Sequence, residues 1–67
     1  MEWTTEYCGV QHLGKVGSGR TWVTVERHTN CATLLEWYPG CKFSPREMNF
    51  EDAESAKQAG EAIVNIY

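Results

Sequence analysis

Apolar and polar side chains alternate most clearly over residues 20–27, Arg20-Thr21-Trp22-Val23-Thr24-Val25-Glu26-Arg27. A period of two in a segment rich in β-branched and aromatic residues predicts a β-strand. Residues 32–38, Ala-Thr-Leu-Leu-Glu-Trp-Tyr, predict a second strong strand, closed by the turn dipeptide Pro39-Gly40. Between them, His28-Thr29-Asn30-Cys31 is short and polar enough for a tight hairpin, with Asn30 suited to a left-handed backbone. Upstream, Trp3 to Leu13 reads as a weaker strand interrupted by Gly9, a candidate bulge. Gly14-Lys15-Val16-Gly17-Ser18-Gly19 reads as the flexible loop leading back into the next strand. Connections this short make three antiparallel neighbours.

The pattern then changes period. From Phe50 to about Ile66 the residues are mostly Ala, Glu, Lys, Gln and Ile, which favour a helix. Asn49 is placed as its N-cap, and Glu51 and Asp52 fall in the first turn, where acidic groups complement the helix dipole. Ala53, Ala56, Gly60, Ile63 and Tyr67 recur every three or four residues and define one narrow face. Gly60 costs roughly 1 kcal/mol of helix propensity against Ala, so its expected contribution is a close approach to the sheet. Residues 41–47, which contain Pro45, form a connector or a short extra edge strand. The expected fold is α+β. A three-stranded antiparallel meander is followed by one C-terminal helix packed on the sheet (β-β-β-α), in one domain over residues 1–67.

A three-residue loop in the second hairpin would set Val25 opposite Leu35 and Val23 opposite Trp37. Closing the first hairpin around residues 14–19 would set Cys8 opposite Val25 and Val10 opposite Val23. Cys8, Val10, Val23, Val25, Leu35 and Trp37 would then lie beneath the helix. Tyr7, Trp22, Thr24, Glu26, Leu34, Glu36 and Tyr38 would line the other face, and a one-residue slip would exchange the two sets. Aromatics on an otherwise polar face mark an interface. The expected partner-binding residues are Tyr7, Trp22, Glu26, Glu36 and Tyr38. The plainer alternative is a second small core, in which residues 41–48 or the N-terminal arm fold over these aromatics.

Composition narrows the function classes. At 67 residues the chain buries only about 60% of its unfolded surface, and 42% hydrophobic with 22% charged residues is an ordinary globular balance. Six basic against nine acidic residues leave a net charge of −3, the wrong sign for holding nucleic acid through counterion release. No apolar run approaches the roughly 20 residues that cross a bilayer. The first residues lack the basic start and apolar core of a secretory signal, so the expected location is cytoplasmic. Cys8, Cys31 and Cys41 are an odd set and read as reduced thiols.

Cys8-x3-His12 and His28-x2-Cys31 look like two halves of a zinc site. In a meander, however, the histidines fall at opposite ends of the Trp22 strand, seven residues or roughly 23 Å apart. Cys8 is therefore expected to be a core thiol, and His28 and Cys31 to be loop residues. The Gly14–Arg20 segment lacks the G-x-x-x-x-G-K-[ST] order and a following helix, so it reads as a hairpin loop rather than a phosphate cradle. Cys31 near His28 is the one local thiol–base pair, set at an open hairpin end with no cleft. No enzyme activity, cofactor or metal is expected.

From about Arg20 to Ala62 the layout resembles β-β-β-α DNA-binding domains of the AP2 and integrase arm-binding kind. The segment Asn49-Phe50-Glu51-Asp52-Ala53-Glu54-Ser55-Ala56 is similar to the start of their helix. That resemblance implies a sheet lying in the major groove, yet Glu26 and Glu36 stand where arginines and lysines would meet phosphate. In size, charge and coarse layout the whole chain is also similar to small phage-encoded accessory proteins, including some anti-CRISPR inhibitors. This second resemblance implies stoichiometric inhibition in the host cytoplasm, an acidic surface occupying a basic, nucleic-acid-binding site on a host or defence protein. The expectation is thus a small acidic protein-binding module, with nucleic acid and membrane disfavoured as partners. The alternatives are a sheet-type DNA- or RNA-binding module and a self-associating subunit that forms a homodimer.

Overall fold

The computed structural model describes residues 3–14, 20–39 and 45–66. The elements are β1 (Val10–Leu13), β2 (Trp22–Arg27), β3 (Ala32–Trp37), β4 (Arg46–Phe50) and α1 (Ala53–Ile66). The strands form one antiparallel sheet in the order β1-β2-β3-β4, and α1 crosses one face, mainly over β2 and β3. The class is α+β, with the expected meander extended by a fourth strand. That strand is the edge strand foreseen for residues 41–47, displaced toward the C-terminus; residues 41–44 lie outside the described residues. Pro45 stands just before it, where its missing N–H breaks no ladder bond.

The β2–β3 loop is one residue shorter than the sequence reading assumed. His28 N–H donates to the Cys31 carbonyl at 2.9 Å, leaving Thr29 and Asn30 as a two-residue turn. Neither takes a positive φ, so Asn30 is not left-handed. The ladder then pairs Val23 with Glu36 and Val25 with Leu34. Because side chains alternate, this single-residue difference exchanges the faces of β3. Leu34, expected outside, is fully buried under the helix, while Leu35 and Trp37, expected inside, lie on the opposite face.

The first hairpin differs as well. Val10 pairs with Glu26 rather than Val23, so it too lies on the face away from α1. Cys8 is not a core thiol. With φ of 52° at Cys8 and 78° at Gly9, the two residues form a tight turn closed by reciprocal Tyr7–Val10 backbone bonds of 3.0 and 2.9 Å. Positive φ at both central positions is the primed hairpin turn, so Gly9 supplies a left-handed conformation rather than a bulge. The chain before it returns along β1. Thr4 N–H donates to the His12 carbonyl at 2.9 Å, and His12 N–H donates to Thr4 Oγ1 at 3.0 Å. This arm occupies the outer edge of β1, which would otherwise offer unpaired ladder groups.

Asn49 is a strand residue opposite Thr33, not the helix cap. Met48 and Phe50 fall on the α1 side of β4 and carry the strand past that position. Asp52 is the cap, accepting the Ser55 N–H on Oδ1 at 2.7 Å. That backbone bond, with the Ser55 side chain second, holds the Asp52 carboxyl below its ordinary value of 3.8.

The core comprises Leu13, Val23, Val25, Ala32, Leu34, Ala56 and Val64, with Ala53, Ala59 and Ile63 packed against it. The expected helix face is therefore the buried one; Tyr67 lies outside the described residues. Gly60 is the contact point. A Cβ there would meet Val23 Cγ2 at 3.0 Å, Trp3 Cη2 at 3.1 Å and Leu34 Cδ1 at 3.2 Å. Trp3 closes this side, donating Nε1–H to Glu61 Oε1 at 3.0 Å beneath the Lys57 ammonium, 5.7 Å from its ring.

Gly60→Ala gains helix propensity but overpacks three neighbours at once, so it should lower stability by about 1 kcal/mol in urea unfolding. A stabilised variant would show that the helix seat has room to spare. Asp52, its carboxyl depressed in the fold, stabilises at pH values above 3.8, and that contribution fades as pH falls through the lower folded value. Asp52→Ala should therefore lower the melting temperature at pH 7 and flatten the acid limb below pH 4, as read by circular dichroism.

Candidate functional site

The face away from α1 is built from three cross-strand rows. One runs Val10–Glu26–Thr33–Asn49, the next His12–Thr24–Leu35–Glu47, and the third contains Trp22 beside Trp37. The two indoles stack at 4.9 Å with planes 7° apart, and the His12 ring meets Trp22 edge-on at 5.8 Å. Stacked aromatics directly across a strand pair stabilise a sheet beyond their buried area. Gly14 makes room for this arrangement. Its φ is +92°, and a Cβ there would fall 2.9 Å from Trp22 Cβ.

Thr24, 4% exposed at the centre of the face, ties the cluster together. Trp37 Nε1–H donates to Thr24 Oγ1 at 3.2 Å, and Thr24 Oγ1 lies 2.9 Å from His12 Nδ1. With its oxygen accepting from the indole, the hydroxyl proton is available to His12. In the next row the threonine proton is already committed. Thr33 donates to Asn49 Oδ1 at 3.1 Å, so its oxygen accepts His28 Nε2–H at 3.2 Å. The same His28 nitrogen lies 4.0 Å from Glu26 Oε2. Every buried side-chain nitrogen and oxygen among the described residues has a partner.

Of the five residues expected to bind a partner, Trp22 and Glu26 lie on this face. Glu36 does not: the register turns it to the α1 side, opposite Val23 and Arg46, where it is 8% exposed. Tyr38 follows the end of β3 and remains exposed, whereas Tyr7, 80% exposed, lies at the turn before β1. They flank the face at different ends. The sequence reading missed Trp37, His12 and Leu35. Reading His28–Cys31 as a two-residue turn would have found Trp37 and Leu35.

Charge is unevenly distributed over the two sides. The carboxylates of the outer strand positions belong to Glu26 and Glu47, and no lysine or arginine stands among those positions. Arg27 lies opposite Ala32 on the α1 side and pairs with Glu6 at 3.4 Å; Arg46 lies opposite Glu36 on that side.

The cysteines and histidines can be placed too. Cys8 and Cys31 are exposed and unbridged, and Cys41 lies outside the described residues. Cys31 and His28 line an open cleft of about 360 Å³ with Arg27 and the 51–54 segment at the start of α1. His28 Nε2 turns to Thr33 and Glu26 instead of the thiol. Both histidines belong to the outer face, each held by a threonine. Among the described residues no three His, Cys, Asp or Glu side chains are grouped to hold a metal ion. No helix among them is long and apolar enough to cross a membrane.

No protein-family model matches the chain, and no curated protein or solved structure matches it.

Thr24→Val keeps the shape at the centre of the face and removes both of its hydrogen bonds. Stability should fall by about 1–2 kcal/mol in chemical unfolding, and the Trp37 indole N–H resonance should broaden or move toward solvent values. An unshifted indole resonance would show that stacking alone holds Trp37.

Proposed function

We propose that this chain is a protein-binding module that works through the helix-free face of its sheet. The observation that carries this reading is the Trp22–Trp37 stack, fixed by Thr24 and partly exposed on the side that α1 leaves uncovered. Rigid indoles bury large area at little entropic cost, and tryptophan is the residue most enriched at binding hot spots. Glu47 diagonal to Trp37, and Glu26 farther along the same face, favour a basic partner, because opposite charge speeds encounter while apolar contact slows release. The finer form of the proposal follows from these charges. The chain is a stoichiometric inhibitor that occupies a basic, nucleic-acid-binding surface of a host or defence complex. It acts in the cytoplasm, that of the host if the chain is phage-encoded.

The same charges oppose the nucleic-acid alternative, since Glu26 and Glu47 would face phosphate. Self-association through this face is weakened by its size. Four strands about 4.8 Å apart and five residues long project roughly 300 Å², well short of the about 800 Å² per partner of a standard interface. A partner that also reaches the rim, where Tyr7 and Tyr38 stand, fits better than a flat copy of the same sheet. No catalytic role is assigned to any side chain.

Sedimentation of the pure chain at micromolar concentration, alone and with a generic duplex at low and moderate salt, separates these readings. The expected result is a monomer that ignores the duplex. A concentration-dependent dimer would make the face a self-interface, and salt-sensitive co-sedimentation would make the chain a nucleic-acid binder. Once a target is in hand, Trp37→Ala with Trp22→Ala should weaken its binding at least a hundredfold in a variant that circular dichroism shows to be folded. Unchanged affinity in that folded variant would end the proposal.

A further inference from the structure

We infer that the partner presents an arginine side chain to the β3–β4 side of this face, its guanidinium lying against the Trp37 indole and paired with the Glu47 carboxylate. The inference rests on the protein-binding reading above and names the chemistry that this reading leaves open. Trp37 has one ring face against Trp22, so its other face is turned away from that stack. Glu47 is exposed on β4 opposite Leu35, two residues before Trp37 on the same side of β3. Positions diagonal across an antiparallel pair are about 7–8 Å apart, within reach of one long planar group. Continuing the register by one pair sets half-buried Pro45 opposite Trp37, an apolar neighbour on the β4 side of the indole.

Charge selects a cation here. Glu47 makes no hydrogen bond or ion pair with another described residue, whereas Glu26 already has His28 at 4.0 Å. Among the described residues the basic groups are engaged or placed elsewhere, and Arg20 has a partner of its own. Arg27 pairs with Glu6, Lys57 lies over Trp3, and Arg46 is on the α1 side. A carboxylate next to a fixed indole suits guanidinium more than ammonium. The planar fork can stack on the ring and still bond a carboxylate through two N–H groups, whereas an ammonium is a compact, strongly hydrated point charge.

The test is selection of a random displayed peptide library on the intact chain, with the Trp22→Ala/Trp37→Ala variant as counter-selection and Glu47→Gln as a second variant. Peptides that need the tryptophans should be enriched in arginine. They should lose about fivefold or more in affinity on Glu47→Gln, and similarly when their arginine is changed to lysine or to citrulline. Tryptophan-dependent peptides that lack arginine, or that bind Glu47→Gln unchanged, overturn the guanidinium inference and leave the protein-binding reading standing. A library yielding no tryptophan-dependent peptide overturns both. Glu47 is exposed on an edge strand, so its variant remains informative if the double variant fails to fold. A single-stranded oligonucleotide, or excess untagged chain, should displace none of the selected peptides; displacement by either assigns this side of the face to that occupant instead.

Discussion

The make-up of both faces of the sheet depends on where the β2–β3 hairpin closes. The His28–Cys31 bond leaves two residues in the turn, and that count decides which residues of β3 meet the helix. With this closure Ala32 and Leu34 join Val23 and Val25 beneath α1, and Leu35 and Trp37 are turned out beside Thr24 and Trp22. Helix packing enforces the same choice. Gly60 sits against Val23 and Leu34 with no space for a Cβ, an approach that the other register would block by setting the larger indole of Trp37 opposite Val23 in place of Glu36. Turn length and helix seat therefore select one parity together. A small core has few other contacts with which to resist a slip.

The outer face keeps its order by a different means. It has no apolar layer above it from α1, so its rigidity comes from ring stacking and from threonine hydroxyls at the sheet centre. Thr24 accepts from the Trp37 indole and bonds the His12 ring, while Thr33 accepts from His28 and donates to Asn49. A hydroxyl suits both positions because it can do the two things at once. The result is a pair of preorganised rows, one aromatic and one polar, with carboxylates at Glu26 and Glu47. Preorganisation reduces the ordering cost of binding, which matters most on a surface of limited area.

Much of the fold was legible in the sequence. The alternation in residues 20–27 and 32–38 placed β2 and β3, and the spacing of Ala53, Ala56, Gly60 and Ile63 located the buried side of α1. The close approach at Gly60 was legible as well, because a glycine inside a good helix needs a reason. What escaped was parity. In Thr33-Leu34-Leu35-Glu36-Trp37 either register buries a leucine, so hydrophobicity alone did not choose, and Glu36 and Trp37 changed places as a result. The start of α1 was misplaced because Asn49 and Asp52 are both good caps; the apolar pair Met48 and Phe50 lengthened β4 and left the role to Asp52. The turn at Cys8 and Gly9 was hidden by a first residue that rarely adopts positive φ. Of the candidate site, Trp22 and Glu26 were found from alternation, while Trp37 and His12 depended on the register.

The assignment of faces is open to direct measurement by nuclear Overhauser contacts in the isolated chain. The Gly60 α-protons should show cross-peaks to the methyl groups of Val23 and Leu34, and the Trp37 ring should show them to Trp22 and not to any residue of α1. Cross-peaks between the Trp37 ring and Ala56, Gly60 or Val64 would contradict this. They would place Trp37 under the helix, return Leu34 to the surface, and remove the paired indoles from the face on which the functional reading stands.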